Sequence, residues 1–197
     1  MKATTVKDNS KDELAVVKRN IEEFCRCVFE PDDIVEIRTL PSGGSYWCKA
    51  KEMAGWAERL RKENQAGQNI YIGINPRKQK GGTTAKDVAL ARNLSADFDN
   101  VTTAEEVKEL LFNRFFPEPT IMIASGHGFH CHWRLTEPIK DLDKWTRLQK
   151  RLIVTLDSDP AIHDPAHHSI AKRPYPSNNE IRRHNRAPNG GYCQGQS

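Results

Sequence analysis

The sequence predicts an α+β fold, because apolar residues recur along it with two different periods. In some stretches, such as residues 142–156, apolar residues recur at helical spacing, which predicts a helix with one buried face. Runs with the two-residue alternation of β-strands lie between them, and several end near glycine or proline. No unit of roughly 20–50 residues repeats. The 197 residues suit one substantial domain, or two small lobes that share a core.

Two helices and three strands are predicted in the first part of the chain. The helices cover residues 12–29 and 51–65, and the strands cover residues 34–38, 46–48 and 69–77. The last strand is mostly apolar, is rich in residues that favour strands, and stops at Pro76. We therefore expect it to be central, with Arg77 at its exit.

The remaining chain is predicted to alternate between strands and helices. Strands are expected to end near Asp99, to cover residues 119–124, to restart from His130 and to include residues 169–171. One helix is expected after Thr102 and Thr103, since a capping hydroxyl is followed there by glutamate, and another covers residues 142–156. The tail from Ala171 is expected to be irregular.

The composition points to a cytoplasmic protein. No apolar run approaches the roughly 20 residues that a membrane-spanning helix requires, and the N-terminus lacks the apolar stretch of a secretory signal. Five cysteines without a Cys-x-x-Cys pair suit a reducing compartment and argue against structural zinc. We therefore expect neither a membrane segment nor a disulfide framework.

Basic residues are unevenly distributed, although the net charge is only +4. One loop carries Lys78, Lys80 and Lys86, and the C-terminal end carries Lys172, Arg173, Arg182, Arg183 and Arg186. Such clusters favour a polyanion such as nucleic acid or a triphosphate, and a solvated basic surface is the alternative interpretation.

Two carboxylates one residue apart end a predicted strand. Successive strand residues face opposite sides, so Asp97 and Asp99 share one face and Phe98 points to the core. Acids on one face repel each other, and a divalent cation relieves the repulsion. Oxygen-only ligands suit Mg²⁺ or Mn²⁺. A polar, exposed strand end is the alternative for an isolated Asp-x-Asp.

Between two later strands lies the sequence Ser125-Gly126-His127-Gly128-Phe129-His130. Glycines that flank a polar residue let backbone N–H groups approach an anion, and Ser125, His127 and His130 can add side-chain donors. His130 and His132 share one face of the following strand. We therefore expect a ligand or phosphate site at this turn, rather than a purely structural, partly buried histidine.

In this order, these motifs resemble the archaeo-eukaryotic primase superfamily, particularly the primase-polymerases of phage and plasmid replication proteins. The family pattern is Asp-x-Asp at a strand end, then Ser-Gly-x-Gly-x-His, then a further Asp. The third acid is assigned first to Asp159, with Asp157 and Asp164 also in range. Residues 71–77 also resemble this group. Relatives have Arg-x-Pro-Gly-Thr where this chain has Lys172-Arg173-Pro174-Tyr175-Pro176, so the phosphate contact is left open between Lys172 and Arg173.

The resemblance covers roughly residues 34–178 and implies a specific architecture. An N-terminal α/β unit packs on a second unit that resembles an RNA-recognition antiparallel sheet, with the active site in the cleft between them. We accordingly expect a helical lead (1–30), a catalytic core (31–178) and a basic, irregular tail (179–197). The core divides into units at residues 31–92 and 93–178.

The resemblance also implies template-directed nucleotidyl transfer from NTP or dNTP to a 3′-hydroxyl, in DNA replication priming on a single-stranded DNA template. Asp97, Asp99 and Asp159 are expected to hold two Mg²⁺ or Mn²⁺ ions and, with His130, to form the catalytic set. Nucleotide binding is expected from Ser125, Gly126, His127, Gly128, His130 and either Lys172 or Arg173. Contact with template phosphates is expected from Arg77, Lys78, Lys80 and Lys86.

Relatives often carry a C-terminal helical domain or a helicase, and neither is visible in this chain, so either is an expected partner.

Two other functions fit parts of the sequence. His130-Cys131-His132 also matches the His-hydrophobe-His metal motif of rolling-circle initiators and relaxases, with Tyr175 or Tyr192 as the nucleophile. The non-enzyme alternative is a nucleic-acid-binding module. The preference for NTP or dNTP, and for initiation or primer extension, is left open.

Overall fold

Two antiparallel sheets form the centre of the computed structural model, which describes residues 9–99 and 101–171. Its helices are α1 (Asn9–Val28), α2 (Ala57–Gln65), α3 (Ala104–Asn113) and α4 (Leu142–Leu156). Its strands are β1 (Ile34–Leu40), β2 (Gly44–Lys49), β3 (Asn69–Gly73), β4 (Ala91–Asp99), β5 (Ile121–Ala124), β6 (Gly128–Ile139) and β7 (His168–Ala171). Short 3-10 segments cover Ala50–Trp56, Ala85–Asp87 and Pro160–His163. The predicted α+β class is confirmed.

The first sheet has the strand order β2-β1-β3-β7. Apolar residues of α1 recur at helical spacing and are buried, as at Ile21 and Val28. They share one hydrophobic core with Val35 and Ile37 of β1 and with Met53 of the first 3-10 segment. The expected helical lead is therefore part of the first unit, and β3 lies inside the sheet as predicted.

The second sheet has the strand order β4-β6-β5. On one face, Phe98 of β4 and Cys131 of β6 pack with Val107 of α3 and with Leu152 and Leu156 of α4. The alternation along β4 and β6 sends their neighbouring residues to the opposite face. That opposite face is therefore the polar face of the sheet.

The polar face of the second sheet contacts the first unit. Asn93 of β4 donates hydrogen bonds to the backbone carbonyls of Val28 (3.0 Å) and Ile74 (3.2 Å). The ring of His132 meets that of Phe24 edge-on, with 6.2 Å between centroids. After α4 the chain returns to the first sheet as β7, which pairs with β3. Residues from both sheets therefore meet beside β4.

Most predicted elements are present, and the differences are local. Residues 51–65, expected as one helix, form a 3-10 segment followed by α2. β3 ends at Gly73, before Pro76, and the N–H of Ile74 bonds to the carbonyl of His167 at 3.3 Å. The expected boundary between residues 92 and 93 falls inside β4, and β7 belongs to the first sheet. The two units are therefore not consecutive segments of the chain.

The described residues bear on two expectations from the composition, that of no membrane segment and that of no disulfide framework. In that part of the chain, no helix is both long and apolar enough to span a bilayer. Cys25, Cys48 and Cys131 are free thiols. Cys193 lies outside the described residues.

Candidate active site

The pairing of β4 with β6 brings the two main sequence motifs together. Their antiparallel register places Asp97 opposite His130 and Asp99 opposite Gly128. Phe98, between the two acids, is 3% exposed and packs in the core beneath α3 and α4. Both carboxylates therefore leave the polar face of the sheet, at the end where the Ser125–Gly128 turn lies.

Gly128 permits the close approach of β6 to β4. A Cβ atom at this position would lie 1.9 Å from the carbonyl oxygen of Phe98. A larger residue would push the strands apart beside Asp99. The other glycine of the turn, Gly126, has a φ of +87°, a left-handed conformation that glycine adopts readily.

The Ser125–Gly128 turn closes the hairpin between β5 and β6. The backbone N–H of Ser125 donates to the carbonyl of Gly128 at 2.9 Å, and its hydroxyl donates to the same oxygen at 3.2 Å. Ser125 is buried, whereas His127 is exposed. The serine hydroxyl therefore stabilises the turn, and the turn presents His127 to solvent.

Asp97 lies in a mostly buried environment. Its side chain is 18% exposed, and its Oδ2 lies 3.2 Å from Nε2 of His130. Its Oδ1 is buried and has no hydrogen-bond partner among the described residues. A buried carboxylate oxygen without a partner is costly, so this carboxylate has an unfilled capacity for a cation or donor.

Of the three candidates for the third acid, Asp159 contacts Asp97 through its backbone. Its backbone N–H donates to the carbonyl oxygen of Asp97 at 3.0 Å. Its carboxylate accepts a hydrogen bond from the N–H of Ala161 at 2.8 Å. Asp157 ends α4 with a φ of +52°, and Asp164 accepts a backbone hydrogen bond within its own turn. The backbone contact favours Asp159 among the three.

Two further histidines lie beside Asp97 in neutral form. They help to line a cavity of about 10 Å³, together with Ile74, Ser95, Ala96, Asp97, His130, Ile162 and Ser169. Burial lowers the pKa of His132 to about 3 and that of His167 to about 4. Nδ1 of His132 lies 2.8 Å from the Ser95 hydroxyl, and its Nε2 is buried without a described partner.

The side chains at this site offer the type of ligand atom that suits a hard divalent cation. Asp97 and Asp99 supply carboxylate oxygens, which Mg²⁺ and Mn²⁺ prefer, and Oδ1 of Asp97 lacks a described partner. Among residues 9–99 and 101–171, no three His, Cys, Asp or Glu side chains are gathered closely enough to hold a metal. The carboxylate of Asp159 bonds to Ala161 instead.

Arg77 does not lie on a DNA-binding surface, contrary to the expectation from the sequence. Its side chain is fully buried, and its Nη2 and Nε lie 2.7 and 2.8 Å from Oε2 of Glu36. Nη2 also donates to the carbonyl of Ala166 at 3.0 Å. A guanidinium held in this way cannot reach a template phosphate, so Arg77 has a structural role.

Glu36 is the centre of this buried ion cluster, which consists of Glu36, Arg38, Arg77 and His168. Nε of Arg38 lies 2.6 Å from Oε1 of Glu36, and Nε2 of His168 lies 3.1 Å from Oε2. Burial alone would raise the pKa of Glu36, but hydrogen bonds from His168, Arg38 and Arg77 outweigh it and lower the pKa to about 2. Burial lowers the pKa of His168, so a neutral ring donates to this carboxylate.

In the basic loop that follows Arg77, the lysines are exposed and the backbone is anchored at Gly82 and Thr83. Exposed side chains are those of Lys78, Lys80 and Lys86. Trp47 donates its indole N–H to the carbonyl of Gly82 at 3.1 Å, and Arg38 donates to that of Thr83 at 3.0 Å. The loop therefore presents three cations from a fixed backbone. Lys172, Arg173, Tyr175 and Tyr192 lie outside the described residues.

Sequence reasoning did not single out Glu36, His168 or Ser169. A glutamate within the apolar run Ile34–Ile37 is a signal for a buried acid that needs a cationic partner. That signal does not identify the partner, because Arg77 and His168 are distant in sequence. Ser169 carries no comparable signal, since buried serines are common in strands.

A separate cavity of about 610 Å³ is lined mainly by α1, the residues that follow it and the 3-10 segment Ala50–Trp56. Its mostly apolar wall includes Cys25 and Phe29, and two of its lining residues, Arg134 and Glu30, form an ion pair. None of its lining residues was predicted to belong to the site, and none of them lines the small cavity beside Asp97. The two cavities are therefore distinct.

No family model matches the sequence, and no curated protein matches it. The structure is similar to the AEP domain (PP-N190) of the cyanophage S-2L primase-polymerase, with a TM-score of 0.59 and 16% identity over 81% of this chain and 80% of that chain. It is also similar to primase RepB′, with a TM-score of 0.57 and 14% identity over 78% of this chain and 48% of that one. The catalytic domain of primase RepB′ in complex with initiator DNA gives a TM-score of 0.57 and 14% identity over 78% and 74%. The chain therefore has the fold of an archaeo-eukaryotic primase catalytic domain.

Proposed function

We propose that this chain is a primase-type nucleotidyltransferase, which transfers a nucleotide from an NTP or dNTP to a 3′-hydroxyl on a single-stranded DNA template. The observation that carries the proposal is the register of β4 and β6. It places Asp97 and Asp99 beside His130 and Gly128 on a primase fold. The expected role is in DNA replication priming, with a replicative helicase or a C-terminal helical domain as the proposed partner.

Asp97, Asp99 and Asp159 are the residues proposed to hold Mg²⁺ or Mn²⁺. The chemistry that two such ions would supply there is a lower pKa of the attacking 3′-hydroxyl and neutralisation of charge on the triphosphate. Nε2 of His130 lies 3.2 Å from Oδ2 of Asp97, so the ring is placed to orient that carboxylate. Asp159 has its backbone beside Asp97, and a side-chain rotation would release its carboxylate from Ala161.

The turn between β5 and β6 is proposed to bind the β and γ phosphates of the nucleotide. The proposed contacts are the backbone N–H groups of Gly126 and Gly128, the exposed side chain of His127, and Lys172 or Arg173. Ser125 supports this turn through its hydroxyl. Both ring nitrogens of His130 already contact Asp97 and Ser169, so we assign His130 to the carboxylates and not to the phosphates.

The basic loop is proposed to contact phosphates of the DNA template. Lys78, Lys80 and Lys86 are exposed on a backbone that Trp47 and Arg38 hold in place. Contacts of this kind carry no sequence information and weaken as salt rises. The RepB′ catalytic domain of similar fold is in complex with initiator DNA, which supports a DNA-binding role for this fold.

Incorporation of labelled nucleotides on single-stranded DNA tests the proposal. We expect product with Mg²⁺ or Mn²⁺, loss of product with a chelator, and recovery when the metal is restored. Lanes with and without a primer distinguish initiation from extension, and parallel NTP and dNTP lanes establish the substrate. A covalent adduct between DNA and Tyr175 or Tyr192, without metal-dependent polymer, would instead identify a relaxase.

A further inference from the structure

Ser169 of β7 and His130 of β6 form a side-chain hydrogen bond that links the two sheets at the candidate site. The Ser169 hydroxyl lies 2.5 Å from Nδ1 of His130, and Nε2 of the same ring lies 3.2 Å from Oδ2 of Asp97. Ser169 is 7% exposed and His130 is 6% exposed. Ser169, His130 and Asp97 therefore form a continuous chain of contacts that is largely shielded from water.

The donor and acceptor groups on the three side chains restrict the directions that these two contacts can take. A carboxylate oxygen accepts hydrogen bonds, so the N–H at Nε2 of His130 is the donor in a hydrogen bond between these two atoms. In a neutral imidazole the other nitrogen is then an acceptor. The Ser169 hydroxyl can donate to that nitrogen. A serine donor at Nδ1 therefore favours the tautomer that is protonated at Nε2.

The position of Ser169 is determined by the residues around it. Ser169 pairs with Ile72 in the ladder between β7 and β3. The preceding residue, His168, donates to Oε2 of Glu36, and Arg77 bonds to both Glu36 and the carbonyl of Ala166. The buried ion cluster thus anchors β7 immediately before Ser169, so the serine is presented to His130 by rigid elements.

We infer that Ser169 is a positioning residue, which acts through His130 to orient the carboxylate of Asp97. Its hydroxyl holds the His130 ring in one plane and one tautomer, so that the ring presents an N–H to Oδ2. This inference rests on the proposed nucleotidyl transfer, which needs a fixed carboxylate at Asp97. Without Ser169, the ring can rotate or change tautomer, and Asp97 loses its donor.

The chain offers a closely matched control for this inference. Ser95 and His132 form an equivalent buried serine–histidine pair, with 2.8 Å between the hydroxyl and Nδ1. Ser95 is 3% exposed, and its partner ring does not contact Asp97 through any hydrogen bond in the described residues. Ser95→Ala therefore removes the same kind of bond from the neighbouring histidine on the same face of β6, without disturbing the contact between His130 and Asp97.

Two measurements on Ser169→Ala, Ser169→Thr and Ser95→Ala test the inference. Imidazole ¹⁵N resonances of protein labelled at histidine report the tautomer without requiring activity. The resonances of His130 are identified as those that disappear in His130→Gln. Single-turnover nucleotide incorporation reports the rate. We expect Nε2 of His130 to be protonated in the wild-type chain and in Ser95→Ala. Ser169→Ala should lose this single tautomer and slow incorporation by about 10- to 100-fold, as is typical when a group behind a metal ligand is removed.

Ser169→Thr retains a hydroxyl and should restore both the tautomer and the rate. Protonation at Nδ1 in the wild-type chain would overturn the inference, and so would an unchanged tautomer and rate in Ser169→Ala. Slow incorporation by Ser169→Thr with the wild-type tautomer would also overturn it, because the rate would then not depend on the state of the His130 ring. Absence of incorporation by the wild-type chain would refute the proposed function, and the resonances would still decide the role of Ser169.

Discussion

Asp97 shares its surroundings with His132 and His167, and the burial of these rings has consequences for stability. Both rings line the small cavity beside the carboxylate. Their neutral form is favoured in the folded chain, whereas in the unfolded chain they can take up protons freely. The residues closest to the proposed chemistry therefore also make the fold sensitive to acid.

The unfolding free energy should fall as the pH drops from 6.5 to 4.5. Burial lowers the pKa of His132 from 6.5 to about 3 and that of His167 to about 4, so in this window the unfolded state binds more protons. Each ring adds a slope of up to about 1.4 kcal/mol per pH unit. Glu36, whose pKa is lowered from 4.5 to about 2, adds to the loss only below this window.

Urea unfolding across this pH range measures the slope. His132→Phe, which cannot take up a proton, should flatten it, and His163→Gln provides a control at an exposed ring. Equal slopes for the wild-type chain and His132→Phe would contradict the burial argument.

Arg77→Met should destabilise the fold by about 3 kcal/mol, because it leaves Glu36 buried with one cation fewer. Arg147→Met, a matched change at an exposed position of α4, should alter the unfolding free energy by less than about 0.5 kcal/mol. Chemical denaturation of both variants checks this difference. Similar stabilities for the two would show that Arg77 is not essential to the buried cluster.

At the scale of elements, the hairpin of β5 and β6 depends on its contact with β4. Gly128→Ala should cost about 1–3 kcal/mol, because the added methyl would meet the carbonyl oxygen of Phe98 and force the strands apart. Gly55→Ala is the matched control, since a Cβ there has no atom within 4 Å. Denaturant midpoints of both variants provide the measurement, and a neutral Gly128→Ala would contradict the described approach of β4 and β6.

The basic loop makes a prediction of its own at this scale. Replacing Lys78, Lys80 and Lys86 by glutamine should weaken binding of single-stranded DNA and reduce the slope of log affinity against log salt by about 0.7 for each phosphate that is no longer neutralised. The matched control removes the same charge elsewhere, by replacing three lysines that are exposed in or beside α4 with glutamine: Lys140, Lys144 and Lys150. Fluorescence anisotropy across a salt series checks the result, and equal slopes for the two triple variants would exclude a specific role for the loop.

For the whole molecule, sequence periodicity predicted the elements better than it predicted their arrangement. The pattern of residues 142–156 matches α4, and alternation predicted β1 and β6. The return of β7 to the first sheet could not be predicted in this way, because pairing between β3 and β7 is a long-range contact. The resemblance to primases supplied the expectation of two packed units.

The candidate site shows the same division between local and long-range information. The alternation that puts Asp97 and Asp99 on one face is local, and so is the glycine turn. The burial of Arg77 was missed because its partner, Glu36, is 41 residues away in sequence. Ser169 was missed because its contact with His130 depends on the crossing of β7. Local patterns thus identified chemical groups, and the fold decides which of these groups meet.

The most direct test of the central claim compares nucleotide incorporation by the wild-type chain, Asp99→Asn and Asp157→Asn. Asp99 is exposed beside the turn, so asparagine there should preserve the fold and slow metal-dependent incorporation by about 100-fold or more. Asp157→Asn removes the same charge at a left-handed position that asparagine tolerates, and should retain the wild-type rate. An Asp99→Asn variant as active as the wild-type chain, or an equal loss in both variants, would contradict the assignment of the active site to β4.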